Sequence, residues 1–79
     1  MALVTRLEKE ERSVATLHRT HLVARYMVAE VEGGRLFQIN SYGSDDRQIP
    51  GKLSQTLQFT EDSAHQLYRA LKAEFGFSD

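Results

Sequence analysis

The spacing of apolar positions changes twice along the chain, and each change marks a different element. The opening stretch, MALVTRLEKEERSVAT, sets Leu3, Leu7, Glu10 and Val14 along one side of a helix around a helix-favouring EKEER. Its apolar stripe is thin, so residues 1–15 are expected to form a short helix or an arm. From Leu17 the period falls to two. In LHRTHLVARYMVAEV, Leu22, Ala24, Tyr26 and Val28 share one face of an extended strand, with His21, Val23, Arg25, Met27 and Ala29 on the other. Gly33 and Gly34 then signal a hairpin, because both accept positive φ.

The returning strand, RLFQINSY, turns Arg35, Phe37, Ile39 and Ser41 to one face and Leu36, Gln38, Asn40 and Tyr42 to the other. The loop in SYGSDDRQIPGK follows, with Gly43 and Pro50-Gly51 as its turn formers. In LSQTLQF beyond it, Leu53, Leu57 and Phe59 point one way and Ser54, Thr56 and Gln58 the other. One face of the resulting sheet is thus rich in uncharged hydrogen-bonding groups. Such a face reads as ordinary solvated surface or, because an exposed strand more often carries Lys and Glu as protection against edge-to-edge association, as a binding surface.

The last period is helical. Thr60 is a good N-cap, Glu61 and Asp62 fill the first turn, where the dipole favours anions, and Gly76 follows the last periodic residue. Ala64, Leu67, Tyr68, Leu71 and Phe75 make one apolar stripe that should pack across the apolar face of the sheet. The pattern predicts an α+β fold: an antiparallel sheet of about four strands backed by one C-terminal helix. Residues 1–79 form one domain, divided into the arm or helix (1–15), the sheet (16–59) and the C-terminal helix (60–76).

Composition narrows the chemistry. Ten basic and eleven acidic side chains give a formal charge of −1, less basic than a dedicated duplex-DNA binder, whose affinity comes largely from neutralising phosphates. Acids gather at Glu8, Glu10, Glu11, Glu61, Asp62, Glu74 and Asp79, leaving a weakly positive middle with Arg19, Arg25, Arg35, Arg47 and Lys52. There is no cysteine, so disulfides and thiolate zinc sites are excluded and a cytoplasmic setting is expected. No apolar run approaches the roughly 18 residues of a membrane span, and Met1 to Arg12 is too charged for a signal peptide.

Catalytic and metal patterns are weak. His18 and His21 are three apart, which on a strand sends them to opposite faces, and His65 stands far from both in the sequence, on the helix. Asp45 and Asp46 suit turn capping better than an oxygen cage. No nucleophile elbow and no phosphate loop is present; Gly51-Lys52 lacks the remainder of a Walker motif. The chain is therefore expected to be neither an enzyme nor a carrier of a metal or cofactor, and to work by binding.

Single-stranded nucleic acid is held by cations on phosphates, aromatic rings on bases and polar groups on base edges. Arg25, Arg35, Arg47 and Lys52 fit the first role, Tyr42 (with Tyr26) the second, and Gln38, Asn40 and Gln58 the third. A second expectation, favoured by the near-neutral charge, is a protein-interaction or accessory subunit that uses the polar face or an edge strand.

The stretch from Arg35 to Phe75 resembles the DNA-binding core of the transcriptional coactivator family called positive cofactor four. The similar features are LFQINSY ending in an aromatic, a polar loop reaching PGK, the strand LSQTLQF, and the acidic-capped EDSAHQLYRALKAEF. The resemblance implies a curved antiparallel sheet that binds single-stranded DNA and a homodimer formed through the helix. In it Tyr42 matches the strand-end aromatic, Lys52 the basic residue after Pro-Gly, and Leu67 the helix leucine facing the sheet. The chain departs where the family has a helix tryptophan, here Ala64, and a lysine-rich first strand, here LHRTHLVARYMV. It also resembles small bacterial proteins carrying HRTH and YGS-DR-PGK-SQ patterns.

Overall fold

A computed structural model describes residues 1–13, 16–42 and 53–79. Four strands, β1 (Ala2–Val4), β2 (Ala24–Val31), β3 (Gly34–Tyr42) and β4 (Leu53–Phe59), precede one helix, α1 (Glu61–Phe75). They form a single sheet in the order β1-β4-β3-β2, and the fold is α+β. The sheet is mixed and not purely antiparallel. β2·β3 and β3·β4 pair antiparallel, but β1 lies parallel to β4, with Val4 opposite Phe59.

Of the two expectations for the N-terminus, a short helix or an arm, that parallel edge overturns the helix. A helix over residues 3–14 would offer only a thin apolar stripe, whereas three residues of strand place half-buried Val4 beside Phe59. The arm continues along α1. The Leu7 N–H donates to Gln66 Oε1 at 2.9 Å, and the Lys9 ammonium meets Glu74 Oε1 at 3.2 Å.

β2 also starts later than the alternation from Leu17 implies, because its partner sets the limit. Ala24 already faces Ser41, one residue from the end of β3. Before it the backbone bonds locally instead, the Thr20 N–H donating to His18 Nδ1 at 3.0 Å. The hairpin turn falls on Glu32 and Gly33, one residue earlier than expected, with Val31 paired to Gly34. Gly33, at φ 93°, takes the left-handed conformation that the turn requires.

α1 is closed at both ends. Thr60 Oγ1 accepts from the Ser63 N–H at 3.0 Å, and Ser63 Oγ accepts from the Thr60 N–H at 2.9 Å, completing a capping box. Gly76, at φ 72°, sends its N–H to the Lys72 carbonyl at 2.9 Å. The helix touches β3 and β4, and its first turn borders an open cleft of about 520 Å³ lined by Val28, Phe37, Phe59 and Ala64 among others. Burial fades along it: Ser63 is fully enclosed, Ala64, Gln66, Leu67 and Ala70 are half-buried, and every residue from Leu71 on is exposed. Among the described residues no helix is long and apolar enough to cross a membrane.

Candidate functional site

Strand alternation divides the sheet into two unlike faces, and the register fixes which side chains meet. Val28, Phe37 and Phe59 form one row on the α1 side, and Tyr26, Ile39 and Leu57 the next. On the opposite face Met27, Gln38 and Gln58 form one row, and Arg25, Asn40 and Thr56 the other.

The polar face is a connected system. Gln58 Nε2 donates to Gln38 Oε1 at 2.9 Å, and Gln38 Nε2 donates to Asn40 Oδ1 at 2.9 Å. The same Asn40 oxygen accepts from the Thr56 hydroxyl at 3.0 Å, while Asn40 Nδ2 donates to the Tyr42 hydroxyl at 3.4 Å. The Met27 sulfur lies 3.9 Å from Gln38 Nε2 and 4.0 Å from Asn40 Nδ2, closing the ladder towards β2. Asn40 and Thr56 are each only 5 % exposed. A buried amide without partners costs about 1–3 kcal/mol; here, among the described residues, every buried side-chain N and O is bonded.

Tyr42 and Arg25 border this ladder. The guanidinium carbon of Arg25 sits 5.6 Å from the Tyr42 ring centroid, a cation–π distance. Arg25 is the one charged side chain that alternation places on this face among the described strand residues. Positive charge and a half-buried aromatic therefore meet at one margin of an otherwise uncharged surface.

Of the residues singled out in the sequence, the structure gathers Arg25, Gln38, Asn40, Tyr42 and Gln58. It sets Arg35 apart, on the apolar face opposite Glu30, with the two side chains exposed and 3.9 Å from each other. Arg47 and Lys52, and with them the loop carboxylates Asp45 and Asp46, lie outside the described residues. One participant and one contact went unrecognised in the sequence. Met27 reads there as one more apolar strand position, and the Arg25–Tyr42 contact depends on a cross-strand register that alternation alone leaves open.

Elsewhere chemistry is sparse. His65 stacks on Tyr68 with ring centroids 6.1 Å apart. Among the described residues no three His, Asp or Glu side chains gather as a metal site would need. In comparisons with known proteins, no family model, no curated protein and no solved structure matches the chain.

Proposed function

We propose that this chain is a homodimeric, non-catalytic module that binds single-stranded nucleic acid across the polar face of its sheet. One observation carries the proposal: an uncharged amide ladder spans β3 and β4, with the Arg25–Tyr42 pair at its margin. In this reading the Arg25 guanidinium contacts phosphate and the Tyr42 ring stacks on a base. Gln38 and Gln58, half-buried at the surface of the ladder, offer amides to base edges. Asn40 and Thr56 are too enclosed to lead in contact, so they act by holding those amides in place. Arg47 and Lys52 add phosphate contacts from the loop, as the resemblance to the coactivator family implies, and a role in transcription or DNA metabolism would follow.

The test is fluorescence anisotropy of a labelled single-stranded oligonucleotide at two salt concentrations. Binding should weaken steeply with salt, with a log–log slope of roughly −0.7 per phosphate neutralised. Equal affinity in wild type and in the Arg47→Ala, Lys52→Ala double variant would overturn the loop's part in it. Absence of binding at low salt would overturn the whole.

A second reading has its own observation. β2 is one of the two outer strands of the sheet, eight residues long, without proline, and exposed throughout. Such an edge can accept an extended segment of another protein by strand addition. A strand-addition complex should respond weakly to salt, which separates it from the nucleic-acid reading.

A further inference from the structure

The register that removes Arg35 from the polar face brings it to the cleft at the start of α1. That cleft holds about 520 Å³, within the roughly 300–1,000 Å³ of small-molecule sites. Its floor is apolar. Phe37 and Phe59 stand directly opposite each other on β3 and β4, with Val28 beside Phe37 on β2 and Ala64 contributed by α1. Tyr26 stacks on the Phe37 ring, centroids 5.1 Å apart, and braces the floor from the neighbouring row. Phe59 is sealed, but Phe37 is half-buried and Val28 is exposed, so the floor still offers apolar surface to a visitor.

Two charges of opposite sign line the same cleft, Arg35 from β3 and Glu61 from the first turn of α1. Gly34 brings them near each other. A β-carbon placed on it would lie 3.9 Å from Glu61 Oε2, so the carboxylate rests over the backbone next to Arg35. Yet the two side chains do not pair. Among the described residues Arg35 meets only Glu30, at 3.9 Å with both side chains exposed, and Glu61 meets no cation. An exposed contact of that length is worth little in water.

A ligand with a single charge would be drawn to one of these groups and repelled by the other. An uncharged one would use neither. A ligand with both charges at one end and an apolar body at the other meets Arg35, Glu61 and the floor together.

We infer that this cleft is a second binding site, on the opposite side of the sheet from the amide ladder, for a free α-amino acid with a large apolar side chain. The ligand carboxylate replaces the loose Glu30 contact on the Arg35 guanidinium, and the ligand ammonium meets the Glu61 carboxylate. The ligand side chain lies on Phe37 and Val28, above Phe59. The site goes beyond the nucleic-acid function and is independent of it, because that function uses the other face.

The test is a titration of the isotope-labelled full chain with L-phenylalanine, followed by amide chemical shifts in the absence of nucleic acid. A ligand of about a dozen heavy atoms in an open site should bind with a dissociation constant of roughly 1 mM. Shifts should gather at Val28, Phe37, Phe59 and Ala64 and spare the side-chain amides of Asn40 and Gln58 on the other face. Phenylpropionate lacks the ammonium and phenethylamine lacks the carboxylate; each should bind about tenfold more weakly. Glycine, which lacks the apolar body, should leave these amides unmoved. Arg35→Gln and Glu61→Gln change exposed side chains, so both should fold, and each should lose about tenfold in affinity for L-phenylalanine. No shift at about 20 mM L-phenylalanine, or shifts confined to the polar face, overturns the site. Phenylpropionate bound as tightly as the amino acid, or wild-type affinity in both variants, overturns the recognition of paired charges. None of these outcomes bears on oligonucleotide binding, which fails or stands by its own test.

Discussion

The two faces of this sheet are built from the same strands and resolve the same problem in opposite ways. On the polar face, Asn40 and Thr56 are enclosed to 5 % exposure, and a chain of amide and hydroxyl hydrogen bonds satisfies them. On the apolar face, three β-strand hydrophobes in the central rows, Tyr26, Val28 and Leu57, stand 70 %, 51 % and 45 % exposed. The polar side is satisfied by its own hydrogen bonds, and the apolar side is left partly uncovered. Hydrogen bonds are directional and short, so a few neighbouring side chains on adjacent strands can close a network. Burial of apolar area is non-directional and needs a second layer of matter; a helix anchored only through its first turns supplies too little of it.

The largest effect should come where the apolar face is completed. Phe59→Ala removes the one buried hydrophobic side chain of the described residues and should cost about 3–5 kcal/mol. That is comparable with the whole stability of a domain this small, so urea unfolding at 25 °C should show a largely unfolded population.

The polar face should respond less, and in a way that depends on pairing. Asn40→Ala strips the partner from Gln38 Nε2 and the Thr56 hydroxyl and should cost about 1–3 kcal/mol. Replacing both members of the buried pair, Asn40→Leu with Thr56→Val, should recover part of that stability, because the buried Thr56 hydroxyl is then gone and the groups that still lose a partner, on Gln38 and Tyr42, are half-buried and within reach of water. If the ladder positions Gln38 and Gln58 for a ligand, the same double variant should lose oligonucleotide affinity while unfolding at a higher midpoint than Asn40→Ala. Wild-type affinity in the double variant would show that the ladder is structural only.

Smaller effects separate the helix from the two faces. Thr60→Ala opens the capping box and should cost about 1 kcal/mol, read as a lower midpoint with no change in affinity. Arg25→Ala and Arg35→Ala should each change stability by less than about 0.5 kcal/mol, since both side chains are exposed. They should differ in binding: Arg25→Ala lowers the salt slope by about 0.7, whereas Arg35→Ala, on the other face, leaves it unchanged. Equal loss in both variants would erase the distinction between the faces.

Much of this architecture is legible along the chain. Alternation from Ala24 onward assigns each strand residue to its face, and the Gly-Gly signal finds the β2–β3 hairpin to within one residue. Thr60 and Gly76 mark the ends of α1. These features are local: they follow from Cβ direction, from the conformations open to glycine, and from caps within four residues of the groups they satisfy. The site is legible by half. Gln38, Asn40 and Tyr42 share a face of β3 by parity alone, whereas the register brings Gln58 of β4 and Arg25 of β2 to the same side. That Asn40 and Thr56 are sealed, that Met27 closes the ladder, and that Arg25 reaches Tyr42 all depend on which residue stands opposite which.

What only the tertiary structure decided is of that non-local kind. Nothing in the three residues Ala2–Val4 announces a strand. They become one because β4 offers an unpaired edge beside Phe59, and this makes the sheet mixed. The alternation that starts at Leu17 becomes a strand only from Ala24, where β3 supplies a partner. The sequence by itself set the parity of β2, β3 and β4, the caps of the helix and the lack of charge at the apolar positions of the strands, since each is a property of residue type and spacing. Register, the outer neighbour of β4 and the distance α1 travels over the sheet come from the competition of segments far apart in the chain for the same hydrogen bonds and the same apolar cover.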